Sequence, residues 1–176
     1  MATPEWGRGS IEPFWGNEYK YLKYTKQPFN NSDDLRRWRN EGYTHTEDLF
    51  TGFMCDMRSP QPSWNSILIH WFEKQFDVAD IGTSYYRMTT GTILPLHSDT
   101  YAKYRELFAC GIGDIVRCLV MPEDWQSGHY LEINNVLVDN WSAGDFFWWI
   151  GDTPHMAANI GVIDRYTIQL TGHRNK

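Results

Sequence analysis

Residues 94 to 100 read LPLHSDT, which sets His97 and Asp99 two positions apart behind a short apolar run. Alternation along an extended strand turns residues i and i+2 to one side, so an imidazole and a carboxylate at this spacing can face a common point. Two imidazoles and one carboxylate on one face form the donor set of a non-haem Fe(II) oxygenase site, which keeps adjacent positions open. The pair alone does not decide the matter. A chain with six His and twenty-two acidic residues yields the spacing readily by chance, and both residue types favour turns beside proline. A third ligand must come from a distant strand of the same barrel. His155 is the natural candidate: in GDFFWWIGDTPHMAANIG it follows a strand-like run and a Gly-Asp-x-Pro turn, and it opens the next apolar run.

Arg165 begins the run RYTIQLTGH. If His155 opens one strand and Arg165 the next, a hairpin brings the guanidinium back to the cavity that holds the metal. A buried Arg in an acidic chain calls for an anion, and a bidentate carboxylate fits its planar fork. The expected anion is the distal carboxylate of 2-oxoglutarate, whose keto-acid end would chelate the iron. The plain alternative is a salt bridge to Asp164 or Asp152. Tyr86 and Arg87 precede the metal strand on alternating faces, and Tyr86 could bond a cosubstrate carboxylate. Arg117, flanked by apolar residues in IVRCLVM, is a second inward cation. It either holds a cosubstrate or substrate carboxylate or forms a structural ion pair.

With these residues in place, the C-terminal half resembles a 2-oxoglutarate- and Fe(II)-dependent dioxygenase, most of all the aspartyl/asparaginyl β-hydroxylase group that includes free-proline hydroxylases. GTILPLHSD is similar to that group's Gly-Thr lead-in to the first ligand, and VRCLVMPEDWQSGHYLEI to its strand-Pro-Gly-strand segment. WSAGDFFWWIGDTPHMAANIGVIDRYTIQLTGH carries its Trp, Gly, Asp, His and Arg at matching spacing. The resemblance covers roughly residues 85 to 173. It implies that His97, Asp99 and His155 bind Fe(II) and that Arg165 binds 2-oxoglutarate. The implied reaction consumes O2, releases succinate and CO2, and hydroxylates an unactivated C–H of an amino-acid side chain, free or in a peptide or protein. One departure matters: mammalian-type β-hydroxylases place Gly at the acidic position, whereas Asp99 completes the triad here, as in the proline-hydroxylase branch. The N-terminal third shares no such resemblance, so substrate identity does not transfer.

The elements that must position these residues follow from patterning. From about residue 80, short β-branched or aromatic runs alternate with Gly, Pro, Asn and Asp, which is the signature of a jelly-roll or barrel. The expected class is α+β, mainly β: a single domain with a cupin-like double-stranded β-helix over 81–176 and a helical support within 1–80. The first thirty residues read as an arm that docks aromatics onto the body. NSDDLRRWRNEG reads as a helix capped by Ser32 or Asn31, and PSWNSILIHWFEKQF as a second, with Ser63 able to cap and His70 packed. Nine Trp, nine Phe and ten Tyr among 176 residues supply ample core material, and Trp148 and Trp149 read as core.

Other classes fare worse. A formal charge of −6 without a basic run disfavours a nucleic-acid partner. Three Cys without CxxC spacing argue for reduced thiols, and no leader-like or membrane-length apolar run is present, so the expected location is cytoplasmic. His129 reads as a hydrogen-bonded barrel residue, while His45 and His173 lack partners at useful spacing. Two rivals stay open. A cupin-type metalloenzyme without 2-oxoglutarate matches Gly91, His97, Asp99, His155 and Asn159 in part but lacks the expected Glu and leaves Arg165 idle. A non-catalytic β-sandwich binding a sugar or peptide would need no ligand set.

Overall fold

From Val78 onward the β-branched and aromatic runs become strands, and in the computed structural model they wind back and forth between two antiparallel sheets. Residues 6–26, 31–44, 52–56 and 60–174 are described. The eight winding strands are β4 (Val78–Met88), β5 (Thr92–His97), β6 (Ile115–Val120), β7 (His129–Ile133), β8 (Val136–Val138), β9 (Asp145–Ile150), β10 (His155–Asn159) and β11 (Arg165–Arg174). Ahead of them come β1 (Trp6–Ser10), β2 (Thr25–Lys26), α1 (Ser32–Asn40), β3 (Phe53–Asp56) and α2 (Asn65–Phe76), while α3 (Ala102–Phe108) lies between β5 and β6. The larger sheet has the order β1-β9-β6-β11-β4-β3-β2 and the smaller β5-β10-β7-β8. Four winding strands fall in each, which makes the double-stranded β-helix. Asn134 and Asn135 (φ 51° and 61°) take the left-handed turn that closes the β7–β8 hairpin.

Three expectations need correction. The N-terminal third is not only helical, since β1 pairs with β9 and β3 with β4, extending the larger sheet at both edges. Period-2 patterning is hidden there by Gly7 and Gly9, which let β1 lie against the rings of Trp148 and Phe146. Nor do β10 and β11 form a hairpin: they belong to opposite sheets, because the winding sends the chain across the sandwich after Asn159. Finally, Ser63 does not cap α2, as its hydroxyl donates to Glu18 (3.3 Å). Asn31, by contrast, caps α1 through Asp33 and Asp34 N–H (3.1 and 3.3 Å).

The larger sheet carries a core on each face. On its outer face Trp64, Leu68 and Phe72 of the α2 region pack with Tyr85, Ile168 and Leu170, and Trp15, Tyr19, Leu22 and Tyr24 of the arm cover what remains. Leu68 and Phe72 are 0% exposed whereas Ile67 is 57% exposed, so only part of the helical stripe faces inward. Phe72→Ala is expected to cost about 3–5 kcal/mol, read as a lowered denaturant midpoint at unchanged slope. Between the sheets lies the second core of Leu119, Met121, Leu131, Ile133, Phe147 and Trp149. Among the described residues no helix is long and apolar enough to cross a membrane.

Candidate active site

Strand β10 pairs antiparallel with β5 so that His155 lies directly opposite His97. Their rings approach to 4.3 Å between centroids, and both residues are buried, at 7% and 4% exposure. The Nδ1 of His97 contacts the Pro95 carbonyl (2.9 Å) and that of His155 the Thr153 carbonyl (3.0 Å). A carbonyl accepts only from a protonated ring nitrogen, so each contact fixes the tautomer in which Nε2 carries the lone pair, the form that ligates a metal. Asp99 follows β5 by two residues. Its Oδ1 lies 3.8 Å from His97 Nε2 and its Oδ2 4.0 Å from His155 Nε2. Ligand atoms of His97, Asp99 and His155 all fall within 4.8 Å of one another.

Protonation suits ligation. Burial, with His155 beside it, pushes the His97 imidazole down to about 4, and burial likewise lowers His155. Both rings are neutral at pH 7 and need lose no proton to bind a cation. Burial by itself would raise Asp99, but the Arg117 guanidinium together with the His155 and His97 rings outweighs it and holds the carboxyl at about 2. Two nitrogens and one carboxylate oxygen, gathered from two strands and a loop, fit a divalent iron.

The space in front of this trio is a cavity of about 420 Å³, counted out to its open mouth. Asp99, His155, Arg117 and Trp149 line one end, and Tyr86, Met88, Arg165 and Thr167 the other, with Leu94, Leu131 and Ala157 between. Register explains the grouping: β11 pairs Arg165 with Met88 and Thr167 with Tyr86, so all four side chains point between the sheets. Gln169, two residues further on, joins them.

Arg165 is 3% exposed. One guanidinium nitrogen donates to the Tyr130 carbonyl (2.7 Å), the fork stacks over Trp141 at 5.4 Å, and Nε has no hydrogen-bond partner. Neither expected alternative partner forms a salt bridge with it: Asp164 pairs with Arg87 at 2.7 Å, and Asp152 is exposed. Among the described residues no carboxylate forms a salt bridge with Arg165. Burial lowers its pKa to about 10, which still leaves a cation at neutral pH. A buried positive charge facing an open cavity is costly without an anion. A carboxylate bound in the cavity would fit this guanidinium.

Arg117 forms the ion pair that was one of its two expected roles. It donates to Asp99 Oδ2 (3.1 Å), with Tyr101 Oη (3.5 Å) and Gln169 Oε1 (3.4 Å) close by. Trp149 is in the core, 1% exposed, with its ring 4.7 Å from that of His155. His129 bonds the Ile163 carbonyl (3.0 Å) and stacks on Trp141, remote from the trio. His70 is exposed rather than packed and pairs with Glu73 (3.4 Å), because Leu68 and Phe72 take the buried side of α2. His173, expected to lack a partner, bonds Asp80 (2.9 Å) across β11 and β4. His45 lies outside the described residues.

Sequence reasoning passed over Tyr101, Gln169 and Asp34. Gln169 was detectable, since it repeats the period-2 spacing of Arg165 and Thr167. Asp34 in the first turn of α1 is 8% exposed, pairs with Arg37 (3.1 Å) and has an unpartnered Oδ2. Helix α1 reaches the His97 end of the cavity because Arg37 and Trp38 donate to the Leu96 carbonyl, next to His97.

No family model and no curated protein sequence matches the chain. Among solved structures, a prolyl-4-hydroxylase from Pseudomonas putida superposes with a TM-score of 0.61 at 14% identity, over 99% of this chain and 95% of that one. The non-heme alpha ketoglutarate dependent carbocyclase SnoK from nogalamycin biosynthesis does so with a TM-score of 0.55 at 12% identity, over 94% and 87% of the two chains. The double-stranded β-helix is thus a fold that this chain shares, almost end to end, with a prolyl-4-hydroxylase and an alpha-ketoglutarate-dependent carbocyclase.

Proposed function

We propose that the chain is a 2-oxoglutarate- and Fe(II)-dependent oxygenase that hydroxylates an unactivated C–H of an amino-acid side chain, free or within a peptide or protein. We place it on the proline-hydroxylase side of the aspartyl/asparaginyl β-hydroxylase group. Arg165 carries this reading. A metal site alone accounts for His97, Asp99 and His155, but not for a cation buried at the far end of the same cavity with an unpartnered Nε. A dicarboxylate that reaches from the metal to Arg165 accounts for all four residues. The two structural neighbours named for such chemistry support the same reading.

In this reading His97, Asp99 and His155 hold the iron. Once bound there, the iron would couple oxidative decarboxylation of 2-oxoglutarate, which yields succinate and CO2, to transfer of one oxygen atom from O2 to the substrate C–H. Arg165 fixes the cosubstrate by its distal carboxylate, and the Tyr86 and Thr167 side chains line the same end. Met88, Leu94, Leu131 and Ala157 form an apolar wall that keeps water from the reacting groups. Substrate enters at the other end, where Asp99 is 31% exposed.

Anaerobic addition of Fe(II) and then 2-oxoglutarate tests the proposal. The expected result is a weak visible absorption band that needs both additions, followed in air by stoichiometric succinate. Iron uptake with no dependence on 2-oxoglutarate would move the chain to the cupin-type reading, and no iron uptake would leave a ligand-binding β-sandwich.

A further inference from the structure

We infer that Arg117 is a positioning residue that sets the Asp99 carboxylate before metal arrives. The inference rests on the metal-site half of the reading above. His97 and His155 need no such help, because both sit on paired strands of the smaller sheet and each is pinned through Nδ1. Asp99 differs. It lies beyond the end of β5, on the short link to α3, with its side chain 31% exposed. A carboxylate in such a link rotates about two side-chain torsions unless something holds it.

What holds it comes from the opposite sheet. Arg117 stands on β6 of the larger sheet and reaches across the sandwich to Asp99 Oδ2 (3.1 Å). Its own orientation is fixed on three further sides. Nη1 bonds Gln169 Oε1 (3.4 Å), Nε meets Tyr101 Oη (3.5 Å), and the guanidinium lies over the Tyr101 ring at 5.0 Å. Gln169 in turn accepts from Ser84 Oγ (3.3 Å), so the chain of contacts runs β4, β11, β6 and then the metal carboxylate. Tyr101 is 9% exposed and takes a left-handed backbone (φ 49°). That conformation is uncommon for an aromatic residue and turns its ring back beneath the guanidinium.

The geometry divides labour between the carboxylate oxygens. Oδ2 is engaged by Arg117, while Oδ1, the oxygen nearer His97 Nε2, is left to ligate. Ligation through one oxygen rather than two would leave a bound metal more positions for other ligands. Arg117 acts on a cation in two opposed ways: it orders the ligand, and its own charge repels the ion. Lysine separates them, because it keeps the charge and lacks the planar fork that spans Asp99, Tyr101 and Gln169.

The test is Co(II) titration of the metal-free protein, followed by calorimetry and by the visible d–d spectrum. Arg117→Lys is expected to weaken Co(II) binding about tenfold, within the 10- to 100-fold range of outer-shell ligand partners, and to alter the band shape. Gln169→Leu leaves Asp99 and Arg117 in place and removes one brace, so it should weaken binding by a smaller factor. The double variant should then lose less than the product of the two, because both act through one network. Far-ultraviolet melts of the metal-free variants serve as the folding control, and Gln169→Leu alone carries the test if Arg117→Lys fails to fold. Wild-type affinity and an unchanged spectrum in a folded variant would overturn the positioning role. Absence of Co(II) binding in the wild type would instead overturn the metal-site reading itself.

Discussion

His155→Ala is expected to abolish turnover and to lower Fe(II) or Co(II) affinity by more than about 100-fold, beyond the upper end for outer-shell changes. In the proposed site the residue would contribute one of three ligand atoms, and among the described residues no other His joins the trio, His129 bonding a backbone carbonyl elsewhere. Because burial keeps the His155 ring neutral at pH 7, its removal breaks no ion pair in the metal-free protein. The stability cost is the lost packing against the Trp149 and His97 rings, 4.7 and 4.3 Å away, and the lost hydrogen bond to the Thr153 carbonyl. Calorimetric titration and a metal-free melt therefore give a sharp pair of readings. A variant that folds and still binds metal as the wild type does would remove His155 from the ligand set.

Arg165→Met should show the opposite pattern, sparing the metal and damaging the cosubstrate. Truncating one partner of a buried charge pair costs roughly 2–5 kcal/mol, or about 30- to several-thousandfold in apparent KM for 2-oxoglutarate. The same substitution removes a buried cation that, among the described residues, is held by the Tyr130 carbonyl and the Trp141 ring and by no carboxylate. Methionine fills similar volume without a charge, so the cosubstrate-free variant should melt no lower than wild type, with a gain of up to about 4 kcal/mol, the upper range when buried ions are replaced by apolar groups. An unchanged KM would sink the assigned role. A sharp loss of stability with an unchanged KM would make Arg165 a structural residue.

The strands that line the cavity were legible because their signals are local. Alternation in LPLHSD and in RYTIQLTG reports which side chains share a face, and Asn134-Asn135 or Gly-Asp-x-Pro marks where strands stop. What alternation does not encode is which sheet a strand joins. His155 and Arg165 were correctly placed at strand starts, yet the sheet assignment that puts them on facing walls depends on crossover connections set by long-range packing. Arg117 had two readings for the same reason: its partner Asp99 approaches from the other sheet. Strand β1 escaped notice because its glycines carry no hydrophobic signal, and α3 because none of its residues is buried, so it shows no apolar stripe.

The two sheets are unequally protected. The larger one has the α2 layer and the aromatic arm on its outer face, whereas the smaller, four strands wide, exposes Ile93 and Leu137 and ends in the three-residue strand β8. Local opening should therefore start in the smaller sheet, where amide hydrogens exchange soonest. Yet His97 and His155 both belong to it, and Asp99 is tied to the larger sheet through Arg117. A bound ion would rivet the loose wall to the firm one, slowing exchange most in β5 and β10 and turning amide protection there into a direct gauge of occupancy.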